Sequence, residues 1–192
     1  ESHSGCITAE IKRGRTAHMD ESKIMEVAQR AIAYDRDDTR RIMHFLTVWN
    51  IARMIASGEK ADDDTKAVVE LTAILHDIGI RNSLIKYNDA LSIHQEQEGP
   101  AVANLILTEA KILDTKIVER VKFIIGHHHT YSACDGQDFQ MVVEADLIAN
   151  SYEDDLRPAT RNRIYDEFIR TETGKKLYKG IFPLESADDW LY

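Results

Sequence analysis

Apolar residues recur along this chain with helical spacing almost throughout. Ile24, Val27, Ala28, Ala31 and Ile32 fall at i, i+3, i+4, i+7 and i+8, one face of a helix. Asp38 or Thr39 can cap a second helix that runs to Gly58, a glycine stop. Two stripes mark it: Ile42, Phe45, Leu46 and Trp49, then His44, Val48, Ile51 and Ile55. A helix apolar on two faces is mostly buried, so His44 is expected to point into protein. "ADDDTKAVVELTAILHDIG" opens with a cap and acids at the positive end of the helix dipole. It continues through Val68, Leu71 and Leu75, and is expected to stop at Gly79. Polar "RNSLIKYNDALSIHQEQEGP" reads as a connecting segment with room for a short helix.

From Gly99-Pro100 a fourth helix is expected, with Val102, Leu105, Ile106 and Glu109 along it. Asp114 or Thr115 caps a fifth, whose face carries Ile117, Val121, Ile124 and His128. "TYSACDGQD" is turn chemistry. Asp138 is the candidate cap of a sixth helix, "FQMVVEADLIANSY". After Pro158 a seventh holds Ile164 and Phe168, and a loose tail ends at Tyr192. No alternating strand pattern stands out. The expectation is a single all-α domain, a bundle of six or seven helices.

Composition narrows the classes. The chain has 192 residues, 43% hydrophobic and 30% charged, ordinary values for a globular domain. No apolar run approaches the roughly 18 residues of a membrane span. Two cysteines, Cys6 and Cys134, make no disulfide framework, so a reducing cytoplasm is the default. Net charge is -9, from 33 acidic and 24 basic residues, which does not suit a protein built to hold long nucleic acid. Residues 1–18 lack a clean period, and His18-Met19 resembles a vector cloning scar. They read as a tag or linker remnant, with the domain at 19–192.

"LTAILHDIGI" places His76 and Asp77 side by side at the end of a nearly all-apolar run. An ionised Asp is expensive to bury unless it is paired or metal-bound. His44, His76, Asp77, His127, His128 and Asp146 all sit in apolar stretches, with no obvious Arg or Lys beside them. Neutral imidazole and carboxylate suit Zn, Fe, Mn, Ni or Co, and ligands from several helices make a metal site in a bundle core. Adjacent helical residues point about 100° apart, so His76 and Asp77 can share an ion only near a helix end.

The ordered set His44, His76-Asp77, Asp146 resembles the H…HD…D signature of the HD superfamily of metal-dependent phosphohydrolases. The resemblance runs from about Ile24 to Asp155 and includes "RRIMHF", "LHDIGI", "QEQEGPAVANLIL", "GHHHTY" and "EADLIANSYED". It implies an HD-domain bundle with a C-terminal helical extension, in which His44, His76, Asp77 and Asp146 hold one divalent transition metal. Relatives with two ions add histidines, which the resemblance carries to His127 and His128. A further histidine is expected where this chain has Gln95, with His94, Glu96 or Glu98 as substitutes. Several relatives have Lys after "HDIG"; here that place is Ile80, leaving Arg81 or Lys86 to supply a cation for phosphate. Asp135-Gly136 is similar to the start of a cyclic-dinucleotide phosphodiesterase motif, but the following "GYP" is absent.

The implied function is hydrolysis of a nucleotide or other small phosphoester, with Asp77 as both ligand and orienter of the attacking water. The alternatives are an HD-fold di-iron oxygenase and a non-catalytic metal-binding regulatory module. The implied partner is a small phosphorylated substrate. No membrane partner is expected, and a homodimer is compatible with the sequence.

Overall fold

The computed structural model describes residues 19–182. Residues 1–18, read above as a remnant, and residues 183–192 lie outside the described residues. The chain forms α1 (Glu21–Tyr34), α2 (Thr39–Gly58), α3 (Asp63–Leu75), α4 (Ile80–Tyr87) and α5 (Ser92–Glu109). After these come α6 (Thr115–Ile125), a 3-10 turn (Tyr131–Ala133), α7 (Gln137–Glu153), α8 (Pro158–Phe168) and α9 (Glu172–Ile181). No strand occurs among the described residues, and none of their helices is long and apolar enough to cross a membrane.

The caps explain where the helices begin. Asp38 accepts the Arg41 amide at 3.0 Å, Asp62 accepts that of Thr65 at 2.8 Å, and Asp114 accepts those of Lys116 and Ile117. Each such cap is worth about 1 kcal/mol. The core is organised on α3 and α7, both buried nearly all round. Residues Ala67 to Val69 and Leu71 to Leu75 are buried, as are Met141 to Ala149. α2 packs most extensively against these two, α6 lies against α3, and α5 lies against α6 and α4. Ile32, placed on one apolar face by spacing alone, is exposed, as are Leu105 and Glu109 on α5.

Three boundaries differ from expectation. α3 stops at Leu75, and His76 to Gly79 form a turn that leads into α4. Gly79 is in ordinary right-handed backbone (φ -73°), so its role is close approach. A Cβ there would run into the Gln95 carbonyl and lie 2.7 Å from the Gly99 amide nitrogen. α5 begins at Ser92 rather than at Gly99-Pro100, and Pro100 lies inside it. The proline forfeits one ladder bond, but Gly99 beside it lets α5 press on Ile125 and on Gly79. α7 begins at Gln137 with Gly136 as its cap residue, while Asp138 in its first turn instead grips Arg120 with two 2.7 Å hydrogen bonds.

The expected tail contains α9. Thr171 caps it, and Tyr178 is fully buried, its hydroxyl donating to the Arg161 carbonyl at 3.1 Å. The buried Glu144 carboxylate on α7 accepts the Arg170 and Thr171 amides at 2.7 and 2.8 Å. It thereby ties the start of α9 to the core, and the all-α architecture gains two helices, α4 and α9, over the helices read from periodicity.

Candidate metal centre

His44 comes from the inner face of α2, six residues past its Asp38 cap. Its Nδ1 donates to Glu153 Oε2 at 3.0 Å. Its Nε2 lies 3.2 Å from His76 Nε2 and 3.2 Å from Asp146 Oδ1. His76 is the first residue past α3, and its Nδ1 donates to the Ala73 carbonyl at 2.9 Å. Asp77 presents Oδ2 at 3.6 Å from both His44 Nε2 and His76 Nε2, and Oδ1 at 3.4 Å from His128 Nε2. His128 donates through Nδ1 to the Ile125 carbonyl at 2.8 Å. Its Nε2 is buried without a hydrogen-bond partner.

The tautomers follow from the partners. Carbonyl and carboxylate oxygens only accept, so each Nδ1 carries the proton and each neutral imidazole turns a bare Nε2 lone pair inward. Three such lone pairs converge with the oxygens of Asp77 and Asp146. Acceptors facing acceptors this closely in a buried site need positive charge between them. Protons are one source. Burial opposes charge on His44, but the Asp146 hydrogen bond and the Asp146, Asp77 and Glu153 carboxylates outweigh it and lift its pKa to about 9. Burial is likewise outweighed at Asp77, chiefly by His76 and then His128, and its carboxyl stays well below the usual range. A divalent ion is the other source. Histidines whose second nitrogen is held by a carbonyl or carboxylate are built as ligands are in metal proteins, and the orphaned Nε2 of His128 fits the same purpose.

Two donor groups result. Ligand atoms of His44, His76 and Asp146 lie within 4.8 Å of one another, and so do those of Asp77, His128 and His129. The turn at His76–Gly79 is what lets neighbours His76 and Asp77 both reach in. Asp77 lies close to both groups, through Oδ2 to His44 and His76 and through Oδ1 to His128.

Of the second histidine pair, the structure brings in His128 and leaves His127 out. His127 donates Nδ1 to the Phe123 carbonyl at 2.7 Å and lies against the Phe123 ring, because α6 ends at Ile125 and the turn rotates it away. His129 takes its place. Its Nε2 donates to Gln95 Oε1 at 3.1 Å, and Gln95 Nε2 donates to the Ala90 carbonyl, which pins the amide. Burial, then His128 beside it, push His129 down to about 4, so it stays neutral. Glu96 holds the same turn by accepting the amides of His129 and Thr130 at 3.0 and 2.9 Å.

The proposed substitutes on α4 and α5 are used elsewhere. His94 pairs with Asp89 and stacks on Tyr87 at 3.9 Å. Glu98 is bound by Lys86 and by the Tyr87 hydroxyl, which occupies Lys86 as well. Arg81 donates to the Tyr34 carbonyl at 3.0 Å and lies over the Tyr34 ring. Arg81 and Lys86, expected to supply a cation for phosphate, are thus engaged elsewhere in this structure, because α4 turns them toward α1 and α5. A cleft of about 250 Å³ opens onto the cluster instead between Asp38, Arg40, Arg41, His44, Asp77, Ile80, Asn150 and Glu153. Arg41 precedes His44 by three residues, and Glu153 follows Asp146 by seven. Neither is singled out by the sequence pattern above; their helical offsets from His44 and Asp146 are the signal that points to them.

The sequence model of the HD domain family matches residues 41–164, well over half of the chain. The chain belongs to the HD domain family. The solved structure of a predicted HD superfamily hydrolase from an uncultured Thermotogales bacterium is similar to this HD domain, with 25% identity and a TM-score of 0.57. The match covers 83% of each chain. None of the curated proteins compared matches this HD domain.

Proposed function

We propose that this HD domain is a metal-dependent hydrolase of small phosphoesters. The observation that carries the reading is the convergence of bare imidazole lone pairs and carboxylates beside an arginine-lined cleft. His44, His76 and Asp146 hold one divalent transition metal, Mn, Fe, Co, Ni or Zn. Asp77, His128 and His129 hold a second. A bound ion supplies charge to offset a phosphoryl group and lowers the pKa of coordinated water from about 16 toward 7.

The side chains do the rest. Asp77, kept ionised by its neighbours, orients a water for attack on phosphorus. Arg41 is fixed in the cleft by Asp35 at 2.9 Å and Asp38 at 2.8 Å, and offers its remaining donors to phosphate oxygens. Arg40 is exposed and holds Asp154 only in a surface pair, which yields readily to a phosphate. The cleft sits just below the roughly 300–1,000 Å³ of drug-sized ligand sites, which suits a small substrate.

The test is phosphate release. Protein stripped of metal and reloaded with each of the five ions is assayed on a phosphoester panel, with and without O₂. Turnover that needs metal and ignores O₂ supports the reading. Product formed only with iron and O₂ returns the protein to the oxygenase alternative. Tight metal binding with no turnover in any arm returns it to the regulatory module.

A further inference from the structure

We infer that the cleft takes a hydroxylated phosphoester, a sugar or polyol phosphate, in preference to a nucleotide; this rests on the phosphohydrolase reading above. Asp146, Asn150 and Glu153 stand at i, i+4 and i+7 on α7, one face of the helix. Asn150 donates Nδ2 to Asp146 Oδ1 at 2.9 Å. A carboxylate only accepts, so the amide is pinned and Asn150 keeps its carbonyl oxygen for a ligand. Glu153 accepts from His44 through Oε2 and keeps Oε1. Both residues line the cleft. α7 thus sets acceptor oxygens in a row leading away from the metal ligands, while α2 supplies Arg40 and Arg41 for the phosphate.

Acceptors placed so close to a phosphate site ask for donors on the carbon skeleton that bears the ester. The hydroxyls of a sugar or polyol meet them. A substrate without hydroxyls leaves Glu153 and Asn150 desolvated and unpaired, and sites built to bond a substrate hydroxyl reject analogues lacking it strongly. A nucleobase is held by stacking on an aromatic ring or in an apolar slot. Among the described residues, the lining has Ile80 as its one aliphatic side chain and no Phe, Tyr or Trp; its one aromatic ring, His44, is turned to the metal cluster, and Arg40 and Arg41 are taken by the phosphate. In the reaction on a monoester, the oxygen of water bonds to phosphorus and the ester P–O bond breaks. The sugar leaves as the free alcohol, taking one proton from the water.

The experiment compares kcat/KM of the metal-loaded full chain on glycerol 3-phosphate, ribose 5-phosphate, glucose 6-phosphate, methyl phosphate and nucleoside 5′-monophosphates. The best sugar or polyol phosphate is expected to exceed every nucleotide and methyl phosphate by about tenfold or more. Glu153→Gln replaces Oε1 or Oε2 with a donor. It is expected to shrink the preference for the hydroxylated substrate over methyl phosphate several-fold. Any loss of metal acts on both substrates equally, so the ratio isolates the hydroxyl contact, and metal content is measured alongside. Nucleotides or methyl phosphate outranking the sugar phosphates, or a ratio unmoved by Glu153→Gln, overturns the inference and leaves the phosphohydrolase reading standing. No phosphate release from any substrate with any metal overturns both.

Discussion

Removing metal from this protein is expected to make its stability fall steeply with pH above neutrality. Without an ion, the charge that the cluster requires is carried by protons, above all on His44, whose pKa rises from 6.5 to about 9. Below pH 6.5 the imidazole is protonated in the folded and unfolded chains alike, and the stabilisation is fully present. As pH climbs toward 9 the unfolded imidazole has already lost its proton, and the folded form loses its advantage. At about 1.4 kcal/mol per pH unit of difference, the effect is roughly 3 kcal/mol. For a chain of this size that is a drop in Tm of about 6–12 °C between pH 6.5 and 9. The metal-loaded protein replaces the proton with the ion, so its Tm is expected to hold across this window. Metal affinity should rise about tenfold per pH unit below 9, because binding expels the His44 proton. Thermal melts of both forms, with calorimetry in buffers of different ionisation enthalpy, measure the two effects. Parallel melting curves for the two forms and no proton release on loading refute the reasoning.

Asp77→Asn keeps the shape and removes the charge; metal affinity should fall about ten- to a hundredfold or more, and turnover should stay low at saturating metal, as read by metal titration and phosphate release. His129→Ala should lower the second equivalent of metal and spare the first, whereas His127→Ala should leave both, with elemental analysis as the readout. Gly79→Ala forces a Cβ onto the Gln95–Gly99 backbone of α5 and should destabilise the fold by about 2 kcal/mol, or more if α5 cannot shift, as measured by chemical denaturation.

Much of this architecture is written locally. Asp38, Asp62 and Asp114 sit at helix starts with apolar stripes behind them, so α2, α3 and α6 can be read from spacing and cap chemistry. The candidate ligands His44, His76, Asp77 and Asp146 stand out for a related reason: charged and imidazole side chains in otherwise apolar helices demand a compensating partner. What spacing cannot convey is decided by distant contacts. Pro100 looks like a helix start because proline suits a first turn, and only the approach of Gly99 to Ile125 and Gly79 shows why the helix runs through it. α9 is held by Glu144, nearly thirty positions earlier, and by one buried tyrosine, so its own pattern is weak. Three consecutive histidines follow α6, and since the helix ends before them its period does not say which two turn inward. Arg81 and Lys86 lie next to the HD pair in sequence, yet the cleft faces α2, where Arg40 and Arg41 stand one turn before His44.

Whether the converging lone pairs hold metal decides the rest. Crystals of the full chain soaked in manganese and measured for anomalous scattering test it most directly. A peak is expected within bonding distance of His44 Nε2, His76 Nε2 and Asp146, and a second beside Asp77, His128 and His129. Manganese elsewhere on the molecule, with the His44 and His76 ring nitrogens still hydrogen-bonded to each other, would contradict it.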